Sequence, residues 1–166
     1  MFGIEIFTKE YFKNSFGERL LLDVYEFGFK DIKKIQRSTL YLMDGDLKYK
    51  DVLVISKKLL IDKVTEFHII KQYSASKYKI MDFKILPPIS SSSFSAIEVW
   101  YKNSVTDTLV ESIGKAMKDL NIKKSINVKI GYKYYFYGTL LSPRTLNNIA
   151  IKLLVNKLIQ EYNVIK

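Results

Sequence analysis

Val128–Leu140 reads VKIGYKYYFYGTL, a long β-forming run set between two helix-forming segments. Side chains on a strand alternate between its two faces. Ile130, Tyr132, Tyr134 and Phe136 therefore share one face, and Tyr135 and Tyr137 the other. An antiparallel strand with one wet face alternates apolar with polar. This run is apolar or aromatic on both faces, so both faces are expected to be covered. Ile35–Leu47, IQRSTLYLMDGDL, lies 93 residues earlier and repeats the pattern, with Leu40 and Leu42 against Tyr41 and Met43. Both runs close on Gly-x-Leu, at Gly45-Asp46-Leu47 and Gly138-Thr139-Leu140. Gly131 and Ser38 are positions at which a bulge would split each run in two.

The repeat extends outward from these runs. Ile4–Phe7 is a short strand, and Ile97–Trp100 repeats it at the same offset. A helix follows each. Ser15-Phe16-Gly17-Glu18 and Thr108-Leu109-Val110-Glu111 fit the S/T-x-x-E capping box, in which the hydroxyl accepts an orphan amide and the glutamate reaches back. Phe16, Leu20, Val24 and Phe27 form one stripe at helical spacing, matched by Leu109, Ile113, Met117 and Leu120. Gly28 and Asn121 suit left-handed C-terminal caps. After each organising run comes a second helix. Ser142-Pro143 is a cap with proline in the first turn, and Leu146, Ile149, Ala150, Leu153 and Leu154 are its buried stripe. Val52, Ile55, Leu59 and Leu60 serve in the first copy. Short strands at Val64–Ile70 and Leu158–Ile165 close the units, with one or two residues inserted in the second.

These elements predict an α+β fold of two βαβ(β)αβ repeats, 1–71 and 96–166, each with helices on one face of an antiparallel sheet. Two such units are small, and packing their open sheet faces together, as an intramolecular pseudo-dimer, would cover the second face. Residues 72–95 form a linker, marked by Pro87-Pro88 and Ser90–Ser93, with an extra edge strand at Tyr78–Leu86.

Composition narrows the chemistry. The 166 residues hold 27 Lys and Arg against 17 Asp and Glu. A net charge of +10 invites a nucleic-acid reading, but Arg occurs only at Arg19, Arg37 and Arg144, and the lysines are scattered among acids. They read as a solvated surface. There are no cysteines, so disulfides and thiolate metal sites are excluded, and a cytoplasmic setting is expected. No apolar run approaches the about 20 residues that span a bilayer, and the first residues lack a signal-peptide pattern. His68, the single histidine, sits in a strand beside Phe67 and Ile69 and reads as structural. Asp44 and Asp46 read as turn residues. No glycine-rich phosphate loop and no nucleophile elbow is present, so no catalytic residue, metal or cofactor is expected. The aromatic run lacks the second glycine of the RNA-stacking strand pattern.

Several stretches resemble the PurS subunit of phosphoribosylformylglycinamidine synthase, the glutamine-dependent amidotransferase of purine biosynthesis. They are Ile97–Lys102 (IEVWYK), Val105–Thr108 (VTDT), Val128–Lys133 (VKIGYK) and Leu153–Tyr162 (LLVNKLIQEY). The first copy is similar in Gly17–Phe29, Leu40–Leu47 and Leu59–Phe67. The family's Asp-Pro stands here as Asp107-Thr108. Its Asn-Pro stands as Asn156-Lys157 and Asp62-Lys63, and its Gly-Lys pair is interrupted as Gly131-Tyr132-Lys133. The resemblance implies a non-catalytic subunit, or the N-terminal domain of a fused synthase. Such a component bridges the synthase (PurL) and glutaminase (PurQ) and supports ammonia transfer between them. Partner contacts are expected at exposed strand and loop residues, Gln36, Arg37, Ser38 and Thr39 and Lys129, Gly131, Tyr132 and Lys133, which flank the two-sided runs or equally lie at the seam between repeats. Neither nucleic acid nor membrane is expected as a partner. Two other readings stay open on sequence: a ferredoxin-like regulatory module with a small ligand between the repeats, and an RNA-binding sheet using Tyr134 and Phe136.

Overall fold

The two long runs form the two longest strands, and they lie side by side. A computed structural model describes residues 1–74, 77–83, 94–102, 108–138 and 141–165. Its strands are β1 (Phe2–Thr8), β2 (Ile32–Gly45), β3 (Glu66–Ser74), β4 (Lys77–Phe83), β5 (Phe94–Tyr101), β6 (Ile126–Gly138) and β7 (Gln160–Ile165). Its helices are α1 (Ser15–Glu26), α2 (Tyr49–Ile55), α3 (Thr108–Asp119) and α4 (Pro143–Ile149). The chain is α+β, with one open antiparallel sheet of seven strands in the order β4-β3-β1-β2-β6-β5-β7.

The expected stacking of two sheet faces does not occur. The edge of β2 pairs with the edge of β6 from Ile32↔Gly138 to Gly45↔Ile126, so backbone hydrogen bonds join the two halves into one sheet. Thr39 pairs with Tyr132, its counterpart 93 residues on. Neither long strand is split. The one irregularity in their ladder falls between Ile32 and Lys34, not at Ser38 or Gly131. Each strand instead ends at the glycine that the Gly-x-Leu pattern marked. Gly45 has φ 146° and Gly138 φ 132°, where a side chain is strained. A Cβ on Gly45 would lie 2.8 Å from the Ser125 carbonyl, and one on Gly138 2.5 Å from that of Asp31. Each glycine lets the end of one long strand close against the start of the other.

The helices cover one sheet face, and two apolar clusters fill the layer between. Val52 and Ile55 of α2 and Ile113 and Met117 of α3 pack on Ile4, Met43, Ile70 and Ile130. Leu20 and Val24 of α1 and Leu146 and Ile149 of α4 pack on Ile35, Ile97, Tyr134 and Phe136. Each side chain so buried contributes about 1.5–3 kcal/mol relative to exposure. The ends of the predicted α1 stripe escape this burial, Phe16 at 37% exposed and Phe27 at 47%, as does Leu109 of α3. The cap of α1 is Asn14 rather than Ser15. Asn14 Oδ1 accepts from the Gly17 N–H, and its Nδ2 donates to the Ile35 carbonyl on β2. The amide thus ties the helix start to the sheet, which a serine one residue later does not. The residues before Thr108 lie outside those described.

The same backbone details recur along the chain. The Gly28 and Phe29 N–H groups donate to the Tyr25 and Val24 carbonyls, and those of Asn121 and Ile122 to Lys118 and Met117. Gly28 and Asn121 both have positive φ, the left-handed cap expected of them. From Pro143 onward the offset is 94. Both α2 and α4 run on into a π-helical turn, Ser56–Leu60 and Ala150–Leu154. Asp62 Oδ1 accepts from the Val64 N–H, and Asn156 Oδ1 from that of Leu158. Lys9 Nζ donates to the Lys63 and Val64 carbonyls, and Lys102 Nζ to those of Lys157 and Leu158. The single-residue shift precedes α4 rather than falling within the closing stretch. The extra edge strand is present as β4, paired to β3, while Pro87-Pro88 and Ser90–Ser93 lie outside the described residues. No helix among the described residues is long and apolar enough to cross a membrane.

Candidate functional site

All eight residues expected at a partner surface lie on the two central strands. Ser38 pairs with Lys133, Thr39 with Tyr132, and the neighbours Gln36, Arg37, Gly131 and Lys129 extend the set along β2 and β6. They form the seam of the sheet, and none of them is exposed. Strand alternation divides them. Arg37, Thr39 and Tyr132 turn to the helices, where the Arg37 guanidinium lies 4.2 Å from the Phe16 ring centre and 4.9 Å from that of Tyr132. Such stacking accounts for the half-exposed Phe16 at the end of the α1 stripe. Gln36, Ser38, Lys129, Gly131 and Lys133 face the other way, onto the side of the sheet that carries no helix.

That helix-free face carries a chain of charges that sequence reading missed. Glu5 on β1 is only 3% exposed. Its carboxylate accepts from Ser38 Oγ at 2.7 Å, from the Tyr135 hydroxyl at 2.5 Å and from Lys71 Nζ at 3.0 Å. Glu98, which occupies the position of Glu5 93 residues later, meets Lys133 Nζ at 3.0 Å, and Glu161 meets Lys129. Burial acts most strongly on Glu5 and favours its neutral form. Lys71, the Tyr135 hydroxyl, Lys133 and Ser38 together outweigh burial and hold the carboxyl below its ordinary range. The same burial, with the Glu5 charge beside it, pushes the Tyr135 hydroxyl far up, and burial carries Tyr137 to about 12. Neither phenol releases its proton near neutral pH. The signal that could have found this network was in the sequence. Ile4-Glu5-Ile6 and Ile97-Glu98-Val99 each place a glutamate between buried neighbours.

Beside the charges lies an aromatic row, Phe7, Phe67, Tyr135, Tyr137 and Phe94, with Ala96. Phe7 and Phe67 stack at 5.2 Å, and Tyr135 meets Phe94 edge-on at 5.4 Å. Phe7 also reaches Tyr135 at 5.8 Å across β2, where Ser38 and Gln36 leave room. This explains why both parities of β6 are apolar: helices cover one side and a self-packed aromatic row the other. Tyr134 and Phe136 lie under α1 and α4, at 5% and 1% exposed, so no base can stack on them. Trp100 covers Gly131, where a Cβ would lie 2.6 Å from both the indole and the Val99 carbonyl.

Ser56 and His68 are in contact, Oγ to Nδ1 at 2.9 Å. The arrangement is that of a nucleophile and its base, but Ser56 is fully buried and its hydroxyl cannot reach a substrate. Histidine here joins β3 to the turn after α2. Among the described residues no group of three or more His, Asp or Glu side chains is placed to hold a metal. A hollow of about 430 Å³ opens beside the seam, lined by Lys9, Tyr11, Lys13, Lys34, Gln36 and Arg37. No protein-family model matches the chain, and no curated protein is significantly similar to it.

Proposed function

We propose that the chain is a non-catalytic PurS-type component of the glutamine-dependent phosphoribosylformylglycinamidine synthase, either a free subunit or the N-terminal domain of a fused enzyme. In this reading residues 1–71 and 96–166 are two PurS-like repeats that form an intramolecular pseudo-dimer. The chain holds the synthase (PurL) and the glutaminase (PurQ) together in the cytoplasm so that ammonia passes between their active sites. The observation that supports this most is the pairing of Thr39 with Tyr132, equivalent positions in the two halves. Two copies of one unit related by a twofold axis pair in this way, and a covalent tandem fixes that arrangement at high effective concentration. The chemistry of the seam agrees with a scaffold. On its helix-free side Glu5 is paired with Lys71, Glu98 with Lys133 and Glu161 with Lys129, and burial holds the Tyr135 and Tyr137 hydroxyls in their protonated form, which suits a fixed shape rather than proton transfer.

The test is assembly. The full chain is mixed with the synthase and glutaminase of its own organism, with glutamine and nucleotide present, and the masses of the resulting species are measured. A ternary complex that contains the chain is expected. Separate elution of all three proteins under turnover conditions would overturn the reading.

A further inference from the structure

We propose that β7 is a pairing edge, and that it takes the β7 strand of a second copy of this chain in antiparallel register about Tyr162. The Lys102 N–H donates to the Ile159 carbonyl at 2.9 Å, so Ile159 turns its backbone toward β5. In an antiparallel ladder this alternates residue by residue. Glu161, Asn163 and Ile165 then bond to β5, and Gln160, Tyr162 and Val164 turn their backbone groups outward. Among the described residues no strand lies beyond them.

The other half of the molecule shows what such an edge accepts. The Lys9 N–H donates to the Thr65 carbonyl and the Tyr73 N–H to that of Met1, so Ile70 and Gln72 of β3 face outward by the same rule. There β4 is seated, with Ile70 opposite Asp82 and Gln72 opposite Lys79. Val164 stands 94 residues after Ile70, and α4 runs on into its π-helical turn as α2 does.

The two outer edges differ in how they are defended. Lysines and bulges discourage edge pairing. β4 carries Lys77 and Lys79, and its ladder shifts register between Ile70 and Lys71. β7, QEYNVI, has no lysine, arginine or proline and a regular register. Its outward set is symmetric about Tyr162, which makes it complementary to itself. Tyr162 exchanges both backbone bonds with its counterpart, and the Val164 N–H reaches the Gln160 carbonyl of the other copy. The Gln160 N–H is already given to the Asn156 carbonyl. On the helix-free side Glu161 falls opposite Asn163, so no like charges meet. The contact is isologous and closes after two copies.

Sedimentation equilibrium of the full chain over a concentration series tests this. The expected species has twice the 19.4 kDa chain mass. Val164→Pro removes an outward N–H, a change tolerated at a sheet edge, and should return the mass to that of one chain with an unchanged far-UV spectrum. A wild-type chain that stays at 19.4 kDa throughout, or a folded Val164→Pro variant that dimerises as tightly as wild type, overturns the proposal. If the variant fails to fold, amide exchange of the wild type decides. Protection of the Tyr162 and Val164 amides that rises with concentration supports the pairing, and unprotected exchange at every concentration overturns it.

Discussion

Glu5 shows how one buried charge is tolerated. Removing one partner of a buried pair leaves an uncompensated charge, which costs about 3 kcal/mol or more. Lys71→Met should therefore destabilise the protein by about that amount at neutral pH, read by urea unfolding. Because the folded pKa of Glu5 lies below its ordinary value of 4.5, its contribution is fully present above that pH and is lost as pH falls through the folded value. The stability gap between wild type and Glu5→Gln should be widest at neutral pH and close on acidification; a gap that does not change with pH would contradict the assignment. Glycine gives a second contrast. Gly131→Ala forces a Cβ against the Val99 carbonyl and Trp100, and should cost about 1–3 kcal/mol, the usual range for overpacking. Gly114 in α3 has open space around its Cβ position, so Gly114→Ala should stabilise by about 0.5–1 kcal/mol through helix propensity. Thermal or urea unfolding of the two variants should therefore shift in opposite directions.

At the scale of elements, the cap of α1 is a testable correction. Asn14→Ala loses the Gly17 N–H bond and the tie to Ile35, and should cost about 1–2 kcal/mol in urea unfolding, while Ser15→Ala should cost much less. Equal losses would return the cap to Ser15. The order of elements was legible in the sequence because local signals carried it: strand alternation, helical stripes, Gly28 and Asn121 as caps, and Ser142-Pro143. The edge strand β4 was legible too. The joining of the halves was not. Apolar side chains on both parities of Val128–Leu140 require that both faces be covered, and they do not say by what. A stacked sheet and a self-packed row of Phe7, Phe67 and Tyr135 satisfy the same pattern. Edge pairing between β2 and β6 depends on backbone groups, which every residue but proline carries, so it leaves no mark on residue type. The eight residues expected as exposed strand and loop positions lie instead within β2 and β6, and none of them is exposed, because the strands they were expected to flank run through them and pair with each other. The Glu5 network was missed because its partners Ser38, Lys71 and Tyr135 come from three other strands.

For the whole molecule, the continuous sheet makes the two halves one body joined at Thr39 and Tyr132, with a charged, helix-free side and a helical side. A scaffold needs such rigidity, and the proposed role requires that both partners be held at once. The deciding measurement is glutamine-dependent amidation of formylglycinamide ribonucleotide by the organism's synthase and glutaminase, with and without this chain, beside an ammonia-driven control. A bridging role predicts that glutamine-dependent turnover requires the chain while ammonia-driven turnover needs it much less. Full glutamine-dependent turnover in its absence would contradict the account.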